Sequence, residues 1–484
     1  MAVIQDLPNE LLDMIVAAAG GKTSDLISLC LVSKRFDAIT RPHLWHTIEL
    51  SPHTKPWQLT VTNSIARNPT LALLVRQLTI PQARSPGPSG PAQDNFPGAT
   101  IDQDQLLSWV SNAYDSKFVE WLCAKADQPW TSISHIATFL VLHMRNLEIL
   151  TYATSCAKDG DSMIEMFKQC EEICVANRGE LARMGGNTRL PLANLHFLDL
   201  SNGEEDKPLY FSTIHLPRLN RFNVYMPRLD LLKVPGRHTC TIQRVVIRDN
   251  RFHESYIRKL LVSMPALRAL RYISSEFRQL GNSAVQPDMD ALGTTLRQHG
   301  QNLAFLDFFI IPDLIIHEYD DGQYETEVTG IRGRIGSLKQ MTALRFLRIG
   351  MQHLLGLHQG WASNLADVLP PSLELLILRT MESLKSRLET HSRLVADFLR
   401  HHSGFPRLWS SIVQGHVQSW VRHEKWRKVD YTRQGCQGTI FYLQIFDHGR
   451  LPEDNHLFLR LLKGSELSSS LEACQEEQSS TNAT

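Results

Sequence analysis

Residues 4–50 read IQDLPNELLDMIVAAAGGKTSDLISLCLVSKRFDAITRPHLWHTIEL, which lays out three short helices and then a strand. Asp6-Leu7-Pro8 opens the first helix. Pro8 stands where a missing N–H costs nothing, and Glu10 lies in the first turn, where the helix dipole favours a carboxylate. Leu11, Leu12, Ile15, Val16 and Ala19 follow at spacings of three and four, a wide apolar stripe. Gly20-Gly21 stops that helix, and Thr23-Ser24-Asp25 offers caps for the next. The second helix carries Leu26, Ile27, Leu29, Cys30, Leu31 and Val32, more apolar residues than one core-facing side can take. Ser33 caps a third helix bearing Phe36 and Ile39, which Arg41-Pro42 is expected to end. So small a unit cannot bury this much apolar surface alone. Part of it should face a partner or the rest of the chain.

The stretch closes on Trp45-x-x-Ile48-x-Leu50, the first copy of a pattern that recurs: apolar, two variable, apolar, one variable, apolar. Val75-x-x-Leu78-x-Ile80, Leu147-x-x-Leu150-x-Tyr152, Leu195-x-x-Leu198-x-Leu200 and Leu219-x-x-Phe222-x-Val224 repeat it. So do Ile242-x-x-Val245-x-Ile247, Leu267-x-x-Leu270-x-Tyr272, Leu303-x-x-Leu306-x-Phe308, Leu344-x-x-Leu347-x-Ile349 and Leu373-x-x-Leu376-x-Leu378. From Leu198 the central positions step to Phe222, Val245 and Leu270 at intervals of 24, 23 and 25, the period of a leucine-rich repeat. Later steps of 36, 41 and 29 are irregular. A proline stands two residues before the first apolar position at Pro217, Pro265 and Pro371. Each unit should supply one short strand and a return segment, and only stacking buries its apolar face. Ser255–Ser263, Asp288–His299, Trp361–Leu369 and Ser383–Leu399 read as return helices.

Three blocks of the opening stretch carry a resemblance. Leu7-Pro8-x-Glu10-Leu11-Leu12-x-x-Ile15, Leu29-Cys30-Leu31-Val32-Ser33-Lys34-Arg35-Phe36 and Pro42-x-Leu44-Trp45 together resemble an F-box. The region behind them is similar to the divergent leucine-rich-repeat regions of F-box proteins, particularly fungal ones. The asparagine or cysteine that usually follows the strand is mostly absent; Asn202 and Asn250 fit that place only approximately.

The fold expected is thus α/β: a three-helix F-box domain over 1–46, an irregular leucine-rich-repeat solenoid over 47–462, and a disordered tail over 463–484. A Pro/Gly-rich insertion at 81–100 and an acidic loop at 317–328 interrupt the array. The resemblance implies docking on a Skp-type adaptor through Leu7, Pro8, Leu11, Leu12, Ile15, Leu29, Leu31 and Val32. It further implies recruitment of a cullin–RING ubiquitin ligase, with a protein substrate held on the repeat surface. The rival expectation is an adaptor-binding scaffold that never engages cullin.

Composition narrows the rest. Formal net charge is zero, which argues against a dominant footprint for nucleic acid or membrane. No apolar run reaches the length of a membrane helix, and Asp6, Glu10 and Asp13 interrupt any secretory leader. A soluble cytoplasmic or nuclear protein is expected. The eight cysteines form no C-x-x-C pair, and Cys170 and Cys174, one turn apart, lack a second pair at zinc spacing. No metal or cofactor is expected. Gly21-Lys22-Thr23 lacks the upstream glycine and strand of a phosphate loop. No Gly-x-Ser-x-Gly elbow or His-Glu-x-x-His motif occurs, so no catalytic residues are assigned and the chain reads as a non-catalytic subunit.

Two basic features remain open. Arg221, Arg244, Arg268, Arg271, Arg345 and Arg348 are read at strand-face positions. On one concave surface they would grip an acidic or phosphorylated segment; scattered, they would only solubilise a strand face. Trp420, Arg422, His423, Lys425, Trp426, Arg427 and Lys428 read as an amphipathic helix, tryptophans inward, with contact to a partner helix or nucleic acid as the other reading.

Overall fold

The structure is a computed structural model. It describes residues 4, 7–19, 22–50, 56–80, 114, 116–126, 133–153, 162–176, 191–201, 216–225, 240–248, 254–274, 287–310, 313–318, 324–329, 331–356, 364–379, 394, 398, 405, 407–408, 410–414, 426–433 and 436–444. The segment 81–100 and the tail 463–484 lie outside these residues.

Helices α1 (Asn9–Ala19), α2 (Thr23–Val32) and α3 (Lys34–His46) pack on one another. The Pro8 carbonyl accepts the Leu11 and Leu12 amides at 3.1 Å each, starting α1 just behind the proline. Ser33 caps α3 by accepting the Phe36 amide at 3.2 Å. The third helix does not end at Arg41-Pro42; it runs through Pro42 to His46. Proline inside a helix forfeits one backbone bond and crowds the preceding turn. Packing offsets that cost here: Phe36 and Thr40 are buried, and Trp45 packs against the main core.

The third helix leads straight into strand β1 (Thr47–Glu49), the first of a long sheet. Next come β2 (Gln77–Ile80), β3 (Ile149–Ala153), β4 (Phe197–Ser201), β5 (Arg221–Tyr225), β6 (Arg244–Arg248), β7 (Ala269–Ser274) and β8 (Phe305–Ile310). An antiparallel pair, β9 (Asp313–Glu318) and β10 (Tyr324–Thr329), stands apart as its own two-stranded sheet and holds much of the acidic stretch. The main sheet resumes with β11 (Phe346–Gly350), β12 (Leu375–Arg379) and β13 (Ser410–Gln414). From β1 to β13 every pairing in this sheet is parallel and each strand lies beside its predecessor. The hairpin β14 (Trp426–Arg433) and β15 (Cys436–Gln444) then adds antiparallel, with β15 on β13. Residues 426–428 are therefore strand, which corrects the helix expected there; residues 420–425 lie outside the described residues.

Parallel neighbours require a crossover, and helices fill many of them. They are α4 (Pro56–Arg67), α5 (Pro69–Ala72), α6 (Ser116–Ala126), α7 (Ile133–His143), α8 (Ser162–Ala176), α9 (Glu254–Ser263), α10 (Met289–His299), α11 (Met351–Leu355) and α12 (Leu365–Val368). Asp288 caps α10 by accepting the Ala291 amide at 3.0 Å. Of the 361–369 stretch only the single turn α12 is helical among the described residues, and 383–399 is described at Leu394 and Phe398 alone.

Register explains the triplets. Ile48, Leu78, Leu150, Leu198, Phe222, Val245, Leu270, Leu306, Leu347 and Leu376 sit opposite one another on ten successive strands. All ten are buried, and so are the third positions, from Leu50 to Leu378. Side chains alternate across a strand, so this one face points everywhere into a single continuous core. Leu12, Val16, Leu26 and Phe36 are buried as well but lie outside that cluster, giving the helical unit a small core of its own.

Candidate functional site

Two surfaces stand out, one on the helices and one on the outer face of the sheet. On the helices, apolar side chains are left in solvent. Leu11, Met14 and Ile15 are exposed on α1; Ile27, Leu31 and Val32 are exposed on α2, Leu31 at 83 %. Scattered exposed leucines are ordinary, but two adjoining short helices with three each are not.

The sequence-assigned residues divide on this surface. Pro8, Leu11, Ile15, Leu31 and Val32 are exposed, while Leu7 and Leu29 are half-buried. Leu12 is wholly buried. It cannot meet a partner and instead supports the face from behind, since with Val16 at i+4 it forms the inward stripe of α1. Met14 and Ile27, which the motif blocks do not single out, join the exposed set.

Polar contacts also tie these helices together. The Arg35 guanidinium donates to Asn9 Oδ1 through Nε at 2.9 Å and Nη2 at 2.8 Å, and to the Leu7 carbonyl at 2.5 Å. It ties the start of α3 to the start of α1. His43 Nε2 lies 2.7 Å from Asp13 Oδ1, linking the same helices farther along, and Arg41 pairs with Asp37 one turn away on α3. Cys30 sits half-buried on α2, its thiol pushed up by burial first and then by Asp37.

The outer face of the sheet changes character along its length. From β1 to β7 the described outward residues are exposed or half-buried except Ala153; from β8 to β12 most are buried. In that covered part Asp307 lies between Arg271 and Arg348, its register partners on β7 and β11. Arg271 Nε is 3.1 Å and Arg348 Nη1 3.6 Å from Asp307 Oδ2. Burial pushes the Asp307 carboxyl up, against the pull of Arg348 and then Arg271. Phe305 and Phe346 stack beside this trio at 4.2 Å, and the Arg379 guanidinium lies 4.5 Å over the Phe309 ring.

The six arginines do not form one patch. Arg271 and Arg348 share the one buried carboxylate of Asp307. Arg345, just before β11, pairs with Glu374 at 2.7 Å. Arg268 is exposed just before β7. Arg221 and Arg244 face each other as register partners at the start of β5 and β6. Among the described residues no group of three or more His, Cys, Asp or Glu is placed to hold a metal ion. None of the described helices is long and apolar enough to cross a membrane.

Residues 4–51 match the family model described as F-box-like, and these are the residues of the braced three-helix unit and its first strand. No curated protein matches the chain. The chain thus carries an F-box-like domain in residues 4–51, joined without a break of secondary structure to a long, mostly parallel sheet.

Proposed function

We propose that this protein is the substrate-receptor subunit of an SCF-type (Skp–cullin–F-box) ubiquitin ligase, working in the cytoplasm or nucleus. The carrying observation is the set of exposed apolar side chains on α1 and α2 inside the F-box-like match. F-box domains generally bind Skp-type adaptors. A small apolar face that its own fold leaves uncovered, backed by the buried Leu12 on helices tied together by Arg35, is what such docking needs. The sheet behind it reads as a divergent leucine-rich-repeat solenoid, its ten aligned triplets marking ten units. Its open outer face would hold the substrate. In that arrangement the chain performs no bond chemistry. It raises the effective concentration of a substrate lysine at a ubiquitin-charged enzyme brought by the cullin.

Affinity purification of the tagged full chain from its native cells tests this. The expected result is recovery of a Skp-family adaptor together with a cullin, both lost with Leu31→Glu. Adaptor without cullin would instead identify a non-ligase scaffold, and neither protein would reduce residues 4–51 to a structural cap.

A further inference from the structure

Among the described residues, the outer face sets two cations side by side without a carboxylate partner. Arg221 and Arg244 are direct register partners on adjacent parallel strands, so their side chains leave the sheet about 4.8 Å apart. Like charges placed directly opposite are destabilising. Four arginines elsewhere along the sheet have carboxylate partners. Arg76 has Glu148 at 3.1 Å, Arg345 has Glu374, and Arg271 and Arg348 share Asp307.

Among the described residues Arg221 and Arg244 have no such partner. Arg221 is exposed and Arg244 half-buried. Burial, and then the Arg221 charge, makes the charged form of Arg244 less favourable than usual. Asp199 of β4, on the same face, accepts from Asn223 Nδ2 at 3.3 Å and feels Arg248. Arg268 adds a third cation, exposed at the entry to the next strand.

We propose that Arg221 and Arg244, flanked by Arg268, are the anchor point for a compact multi-oxygen anion carried by a segment of a partner protein, a phosphoryl group or a pair of carboxylates. Two side-by-side guanidiniums can each present a planar fork to one such anion and are relieved of their mutual repulsion when it binds. A phosphorylated side chain fits best, because it concentrates nearly two charges and three acceptor oxygens at one point. A nucleic-acid strand fits poorly. Its run of phosphates would have to pass Asp199 on the same face, and the whole chain has no net positive charge.

This assignment rests on the substrate-receptor reading, and its test is independent of adaptor docking. Immobilised full-length protein is offered a phosphothreonine peptide library with random flanks, the same library unphosphorylated, a Glu-Glu library and a single-stranded thymidine oligonucleotide. Enrichment of the phosphothreonine library, falling about tenfold or more for Arg221→Ala/Arg244→Ala, is the expected result. Enrichment of the Glu-Glu library in its place, with the same loss, keeps the site and changes the source of the anion. The variant should melt no lower than wild type and still bind the adaptor. Should it fail to fold, Arg221→Lys/Arg244→Lys keeps the charges and removes the forks, and weakened enrichment is again expected. Equal retention of charged and uncharged libraries, undiminished binding by the variants, or preference for the oligonucleotide would overturn the proposal.

Discussion

The helical unit and the sheet spend the same kind of residue in opposite ways. Along the sheet, triplets of leucine, valine, isoleucine, phenylalanine and tyrosine turn inward on ten strands and leave no member of the aligned central row in solvent. In α1 and α2 only Leu12, Val16 and Leu26 turn inward, while Leu11, Met14, Ile15, Ile27, Leu31 and Val32 stay outside. Burial of apolar area is the main stabilising term in folding. A fold that forgoes it over so short a stretch leaves a surface suited to the docking proposed above. On that proposal the difference separates residues that make the fold from residues that make the contact.

Mutation should sharpen that separation. Leu347→Ala removes a fully buried side chain from the sheet core, and a loss of about 2–5 kcal/mol in urea unfolding is expected. A loss below about 1 kcal/mol would mean the aligned triplets are not the core described here.

Acid should come next in size, through two buried histidines of the sheet region. Burial holds His353 at about 3, against the nearby Ile310 backbone group, and holds His143 at about 4. Both folded-state values lie below the ordinary histidine value, so the unfolded chain binds the extra protons. Their contribution is complete above about pH 6.5 and is lost as pH falls toward the folded values. Between pH 7 and pH 5 each histidine should cost about 2 kcal/mol of stability. A flat profile over that range would show these rings to be solvated.

Leu31→Ala should be the smallest effect. At 83 % exposed the side chain contributes little to folding, and a change within about 0.5 kcal/mol is expected.

The sequence made much of this readable because one triplet recurs on ten strands of the main sheet. Its central residue steps by 23 to 25 positions only from Leu198 to Leu270, yet the triplet marks the inward face where the spacing is longer as well. Other features follow from contacts that no local pattern encodes. Pro42 would end an isolated helix, but α3 continues because Trp45 beyond it packs on the sheet core. The spacing of Trp420 and Trp426 suggested a helix. Residues 426–433 instead pair with 436–444, separated only by Gln434 and Gly435. The arginines failed as a single patch for a reason of parity. Arg271 and Arg348 stand one residue after the central apolar position and point outward, whereas Arg268 and Arg345 stand two before it at the strand entries. Which of Leu11 and Leu12 turns inward was likewise settled only by how α1 rests on its neighbours.

The most direct measurement is the affinity of the purified full chain for a purified Skp-family adaptor by calorimetry, comparing wild type with Met14→Ala/Leu31→Ala. Both side chains are exposed, so thermal stability should be unchanged while affinity falls about tenfold or more. Equal affinity of the two proteins, or no binding by folded wild type, would contradict the assignment of this face as the docking surface.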